Sequence, residues 1–468
     1  MKVLFIASEC VPFIKTGGLA DVIGSLPKEL RKLGIDARVI LPKYKAIPNH
    51  YREKMIHLTH FNLQLGWRNL YCGIEHLEED GVPFYFIDNQ NYFYRESIYG
   101  YGDSFDEAER FTFFSQAVLE SLPYLQFQPE ILHLNDWQTA LIPLFLKTHY
   151  VNHDDYMKIR TIFTIHNLKY QGIFQQDILK DLLDIDPSDP EFSVDGIEYY
   201  GRVNFMKAGL NYANLITTVS ETYAKEIQYP FFGEGLDGLL RNRNQDLYGI
   251  INGIDVERFP RQQSKQENKV KLQEMLRLPT DPHIPMISLI SRLVSQKGID
   301  LVVHVLDEIL QQNLQFVVLG TGEQKYEQIF LEASNRYPKK LSVHITFDEP
   351  FSHMIYAASD LFLMPSLFEP CGLSQLIALH YGAIPIVRET GGLKDTVQSF
   401  NEYNGEGNGF SFTHYNAHDM LYTIKRALSI YHQPPLWNKI KENIKASDFT
   451  WKKSAEEYVS LYQLVLQR

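Results

Sequence analysis

Cysteine is scarce in this 468-residue chain, with three residues, Cys10, Cys72 and Cys371, scattered and forming no CxxC pair. That spacing supplies neither a zinc site nor a disulfide framework, and it suits a reducing compartment. Long apolar runs are absent too: no uninterrupted stretch approaches the roughly 20 residues of a membrane helix. The opening MKVLFIASECVPF places one lysine before an apolar run of strand length, too short for a secretion signal. Positive charge is in deficit, 45 Lys and Arg against 57 Asp and Glu, for a formal charge of -12. With no basic stripe, a nucleic-acid partner is excluded. The expectation is a cytoplasmic protein with no membrane partner.

What is present is an ordinary globular composition, 44% hydrophobic and 22% charged, in a chain too long for one core. Short β-branched runs alternate with segments of helical spacing, which predicts an α/β fold with parallel sheets. KVLFIAS, DARVILP, PFYFID, EILHLND, RTIFTIHN and NLITTVS read as strands of a first domain. PMISLISRL, QFVVLGTGE, LSVHITF, LFLMPS and AIPIVRETGG read as strands of a second. The polar stretch RNRNQD between them sets the boundaries at 1–244 and 245–445, with an amphipathic helix over 446–468 that could return to the first domain. Two doubly wound domains are expected, with ligands in a cleft beyond the carboxyl ends of their strands.

Two glycine loops share the wording TGGLxD: KTGGLADV at Lys15–Val22 and ETGGLKDT at Glu389–Thr396. Each follows a predicted strand and opens a predicted helix. Each is therefore either a tight turn or an anion site made of backbone amides and the helix dipole, with Lys15 adding charge. Neither is GxGxxG, so a dinucleotide fingerprint is missing. SRLVSQKG puts Arg292 and Lys297 five residues apart at a strand end, either as solvated cations or as a grip for a diphosphate. Glu369 follows LFLMPS and precedes a helix whose start carries Cys371, Gly372 and Leu373. It can cap that helix or bind sugar hydroxyls. Asp136 and His166 end neighbouring strands, as an N-cap and a buried imidazole or as an active-site pair. Asp184 and Asp186 spell the Asp-x-Asp of manganese sites but lie in the acidic, proline-containing LLDIDPSDP, which reads as a solvated loop. No metal or other cofactor is expected.

Taken in order, KTGGLADV, HLNDWQTAL, FTIHNLKYQGIF, INGID, SRLVSQKG, FLMPSLFEPCGL and TGGLKDTV resemble bacterial glycogen synthases and plant starch synthases, over nearly the whole chain. The resemblance implies the GT-B fold, two Rossmann-like domains facing a deep cleft. It also implies retaining transfer of glucose from ADP-glucose to the non-reducing end of glycogen or another α-1,4-glucan. On matching motifs, Lys15, Gly17, Gly18, Asp21 and Asn252 are implied to meet substrate, as are Cys371, Gly372, Leu373, Thr390, Gly391 and Gly392. Arg292 and Lys297 are implied to neutralise the diphosphate, Glu369 to bind the transferring glucose, and Asp136 and His166 to line the acceptor side. Many retaining relatives carry a second glutamate eight residues after the first; here Ile377 stands there, as in the narrower synthase family. A UDP-glucose-using relative and a catalytically silent carbohydrate-binding protein are the alternatives.

Overall fold

The computed structural model describes residues 1–100, 104–260 and 264–468. Its packing separates two units, Met1–Val219 with Ala224–Ile250 and Trp451–Arg468, and Ser220–Tyr223 with Ile251–Thr450. RNRNQD is not the boundary. Asp237–Asn242 is helical, and the strand Leu247–Gly249 beyond it still pairs with Leu215–Thr218 of the first unit. The polar residues bond within that unit. The Arg243 guanidinium donates to Leu210 O at 2.6 Å and Ala213 O at 2.9 Å and pairs with Asp246. The division thus falls at Ile250 instead of residue 244. The second unit runs to Thr450 instead of 445, its helix Pro434–Ala446 burying Ile440 and Ile444 in that unit's core.

Among the described residues the first unit builds one nine-stranded sheet. Its seven-strand parallel part runs Leu247–Gly249, Leu215–Thr218, Arg160–Ile165, Ile131–Asn135, Lys2–Ile6, Asp36–Pro42, Val82–Asp88. Two strands that the sequence pattern did not reveal, Ile56–Leu65 and Arg68–Glu79, add an antiparallel hairpin at one edge. Its outer strand is mostly solvent-exposed, Ile56 by 63%, so it lacks the continuous apolar run that marks a buried parallel strand. Chain order reverses between Lys2–Ile6 and Ile131–Asn135, a topological switch point where ligands bind in open α/β sheets. The final helix, Trp451–Gln467, belongs to this unit: Tyr462 OH lies 2.8 Å from His133 Nδ1, and Arg468 pairs with Asp246 at 2.5 Å.

The second unit's six strands are all parallel, in the order Leu341–His344, Gln315–Leu319, Met286–Ile290, Leu361–Met364, Ile384–Arg388, Phe410–Phe412. Numbered along the chain this is 3-2-1-4-5-6, the dinucleotide-fold order. Its switch point falls between Met286–Ile290 and Leu361–Met364, the strands that deliver Arg292 and Glu369.

Both predicted glycine loops leave strands, but not equivalent ones. KTGG follows the first strand of its sheet, whereas ETGG follows the fifth of the other. The topological counterpart of KTGG is SRLVSQKG, so the shared wording is not one position used twice. The helices differ as well: Gly18–Lys32 has 15 residues, Gly391–Thr396 only six.

Candidate active site

In the first unit three strand ends converge near its switch point. After Lys2–Ile6 the chain places Glu9, 4% exposed, beneath the KTGG loop. Its carboxylate accepts from Thr16 N, from Thr16 Oγ1 at 3.0 Å and from Gly17 N at 3.2 Å. Burial raises this carboxyl above the usual range, and those same bonds pull the other way. The amides of Thr16 and Gly17 are therefore already engaged, a correction to the view of the loop as a bare-amide anion site. Its positive group is Lys15, which pairs with Asp21 at 2.9 Å; Asp21 in turn sits in the first turn of the helix that Gly18 opens, at the favourable end of the dipole.

The adjacent strand ends at Asp136, whose backbone adopts φ 58°, a strained region for a non-glycine residue. Its side chain does not cap the following turn. Instead it accepts from His166 N at 2.8 Å and from Asn167 N, which ties the two strand ends together. Burial, helped by the charge of Glu9, lifts the Asp136 carboxyl to about 7.

His166 Nε2 lies 2.9 Å from Asn135 Oδ1. The orientation follows from Asn135, whose amide nitrogen faces two carbonyls, Ile6 O at 3.0 Å and His133 O at 3.1 Å. Carbonyls only accept, so the Asn135 oxygen faces the imidazole, Nε2 carries the hydrogen and Nδ1 is left as an acceptor. Burial drops the His166 pKa to about 3, so this ring is neutral near pH 7. Tyr99, bonded to Ser8 at 2.6 Å, completes the group, its phenol held protonated by burial and by the charges of Glu9 and Asp136. Glu9 and Tyr99 escape a sequence search because no motif marks them, and Asn135 is passed over although it lies within HLNDWQTAL. A lone carboxylate just past the apolar run Val3–Ala7 was the one available sign of Glu9.

Asp136 is steadied from behind by Trp137, which packs in an aromatic cluster with Phe111, Phe174 and Phe205. The indole lies so close to Gly172 (φ 63°) that a Cβ there would sit 2.4 Å from the ring.

In the second unit, Lys297 Nζ lies 2.6 Å from Glu369 Oε2, which also accepts from Ser366 Oγ at 3.0 Å. Glu369 therefore does not cap the helix behind it, which begins at Ser374. Arg292 is exposed at the end of its strand, while Gly298, with φ 72°, turns the chain where a Cβ would meet Pro365 O at 2.1 Å.

The second glycine loop supports Glu369 from below. Gly392 N donates to Glu369 O at 3.2 Å and Pro370 O at 3.1 Å, so its amide is not available to a phosphate, contrary to the expectation for it. A Cβ on Gly391 would stand 1.9 Å from Glu369 O, and one on Gly392 2.1 Å from Cys371 O. These glycines exist so that two backbone segments can touch. Thr390, fully buried, precedes them as the N-cap residue of their short helix.

Cys371 is buried and hydrogen-bonded by Asn252, and burial pushes its thiol up to about 12, so it is not a nucleophile. Gly372 turns the chain with φ 74°. Leu373 packs against the cluster of Ile254, Phe259 and Leu376. Asn252 keeps one buried oxygen without a hydrogen-bond partner. Ile377, in place of a second glutamate, packs against apolar neighbours. The Asp-x-Asp residues find local partners, Asp184 with Lys180 and Asp186 with Ser188.

The family model for the starch synthase catalytic domain matches residues 2–242, and that for group 1 glycosyl transferases matches 274–447. A glycogen synthase of Desulforamulus reducens is 56% identical over 100% of this chain and 99% of its own, and one of Geobacillus thermodenitrificans is 52% identical over 100% and 98%. The chain belongs to the glycogen and starch synthase family. Like the rest of the glycogen and starch synthases it is a glucosyltransferase of the GT-B type. The catalytic domain of starch synthase IV from Arabidopsis thaliana, solved with ADP and acarbose, has a TM-score of 0.90 at 32% identity, covering 100% of this chain and 99% of that one. A sucrose-phosphate synthase from Thermosynechococcus elongatus, with a TM-score of 0.64 at 16% identity and covering 100% and 99%, shares the fold. No helix among the described residues is long and apolar enough to cross a membrane.

Proposed function

We propose that the protein elongates an α-1,4-glucan in the cytoplasm, transferring glucose from ADP-glucose to the non-reducing end with retention and releasing ADP. The observation that carries this reading is the Lys297–Glu369 pair, 2.6 Å apart beside the exposed Arg292 at the switch point of a dinucleotide-type sheet. The ADP found with the starch synthase neighbour supports the choice of nucleotide.

In this reaction the bond from glucose C1 to the β-phosphate oxygen breaks, leaving negative charge on ADP while positive charge grows on the sugar. Arg292 stabilises the diphosphate by its planar fork. Lys297 uses one ammonium hydrogen on Glu369 and keeps two for phosphate oxygens. Glu369, held by Lys297 and Ser366, accepts from glucose hydroxyls. In the first unit neutral His166 offers Nδ1 as an acceptor and Asp136 balances charge near the sugar. Same-face attack lets the departing phosphate oxygen take the proton of the incoming glucan hydroxyl, which needs no protein base of neutral pKa. No metal is assigned a part.

Glucose incorporation into glycogen, measured from ADP-glucose and from UDP-glucose with a chelator present, tests this. Transfer from ADP-glucose that survives the chelator is expected. Preference for UDP-glucose overturns the donor, and loss in the chelator overturns the metal-free mechanism.

A further inference from the structure

The second unit contains a cavity of about 590 Å³ that none of Arg292, Lys297 and Glu369 lines. Its wall takes in Pro282 and His283 ahead of strand Met286–Ile290, Asp360 ahead of Leu361–Met364 and Gly382 ahead of Ile384–Arg388. Because these strands are parallel, the cavity lies at their amino ends, while Arg292, Glu369 and Thr390 follow their carboxyl ends. It is a second site on the same sheet.

Its chemistry is cationic and aromatic. Lys265 and Lys269 reach it from one helix, and Trp437, Lys441 and Lys445 from another. Asp360 is the one carboxylate in the wall, and it is neutralised there: Lys269 Nζ lies 2.6 Å away, and Met286 N donates to it at 2.8 Å. Lys269 is itself saturated by Pro282 O at 2.8 Å and Ile284 O at 3.1 Å. Asp281, close by, is occupied with the amide of His283 at 2.8 Å.

Lys441 and Lys445, both exposed, have no ion-pair partner among the described residues. They stand at i and i+4, where two like charges on one helix face repel and an anion set between them removes the repulsion. Trp437 continues the same face one turn earlier and packs edge-on to Tyr431, with ring centroids 4.9 Å apart. The volume falls within the range of small-molecule sites.

We propose that this cavity binds a small phosphate monoester, its dianion bracketed by Lys441 and Lys445 and its ring lying against Trp437. A phosphate monoester carries close to two negative charges at neutral pH, which matches two uncompensated ammonium groups. A neutral glucan would leave both charges unanswered.

The test is calorimetric titration of the full chain with inorganic phosphate, fructose 6-phosphate and AMP, with tryptophan fluorescence followed in parallel. One or both esters are expected to bind at least 10-fold more tightly than phosphate. K441E/K445E is expected to weaken that binding at least 10-fold with glucosyl transfer unchanged, and W437F to abolish the fluorescence response. Tighter fructose 6-phosphate identifies a sugar phosphate, tighter AMP a nucleotide. Binding indifferent to K441E/K445E overturns the site, as does ester affinity weaker than about 10 mM. Maltoheptaose binding that depends on Trp437 but not on the lysines overturns the ligand class in favour of a glucan. Because transfer is read separately, failure here is distinguishable from failure of the proposed reaction.

Discussion

Replacing His133 by glutamine isolates one proton in the acid stability of this protein. His133 is 1% exposed and wedged between Tyr462 OH at 2.8 Å and Thr164 Oγ1 at 2.7 Å. Burial, with His166 nearby, drops its pKa to about 3, against about 6.5 in an unfolded chain. Since the folded value is depressed, its contribution to stability is complete above pH 6.5 and is lost as pH falls toward 3, at about 1.4 kcal/mol per pH unit. Asp136 acts in the opposite sense. Its folded value of about 7 exceeds the unfolded 3.9 or so, so its contribution is complete below that and is lost as pH rises through 7.

Between about pH 4 and 6.5 Asp136 offsets only one of the two buried histidines, His133 and His166, so the wild-type curve does not resolve any single group. In H133Q, glutamine keeps a donor and an acceptor but does not titrate. The variant is expected to lose stability at pH 7.5 through imperfect bonds, and to recover roughly 2 to 3 kcal/mol relative to wild type between pH 6.5 and 4.5. D136N is expected to shift the other way over the same interval. Urea unfolding followed by far-UV circular dichroism at pH 7.5, 6.5, 5.5 and 4.5 reads both. A difference between wild type and H133Q that is constant across this series refutes the buried neutral imidazole.

Two further predictions concern the strand-end residues and glycine loops of the two units. R292A removes an exposed side chain, so thermal unfolding is expected to be unchanged while turnover falls roughly 100-fold or more, the scale of one preorganised donor; near-normal turnover eliminates the diphosphate role. The glycines of the two loops are expected to behave differently. At Gly392 a Cβ meets the backbone of Cys371 at 2.1 Å, so G392A is expected to destabilise by about 1 to 3 kcal/mol. At Gly17, with φ -149°, the nearest atom to a Cβ is Glu9 Oε1 at 3.9 Å. G17A is expected to fold normally, so any increase in its KM for ADP-glucose measures space the loop reserves for ligand. A G17A chain that melts early contradicts that geometry.

Much of this protein is legible one segment at a time. Strands buried on both faces, such as those carrying Val3–Ile6 and Phe316–Leu319, announce themselves as continuous apolar runs. The motif residues Asp136, His166, Lys297 and Glu369 are legible because each follows the carboxyl end of a strand, where open α/β sheets place their ligands. The hairpin Ile56–Glu79 escaped because its outer strand faces water and carries no such signal. RNRNQD misled as a boundary because Arg243 uses its charge on carbonyls within its own unit.

The sequence by itself determined the alternation of strands and helices, the placing of chemistry at strand ends, and a family likeness spread across the whole chain. Only the tertiary structure decided that Glu9 engages the KTGG amides, that Lys297 pairs with Glu369 across 72 residues of chain, and that Gly391 and Gly392 pack backbone on backbone. It also decided that ETGG and KTGG occupy different strands of their sheets. The reason is physical: local pattern records what each residue must avoid or bury, whereas a hydrogen-bond partner depends on which strands the sheet order brings side by side.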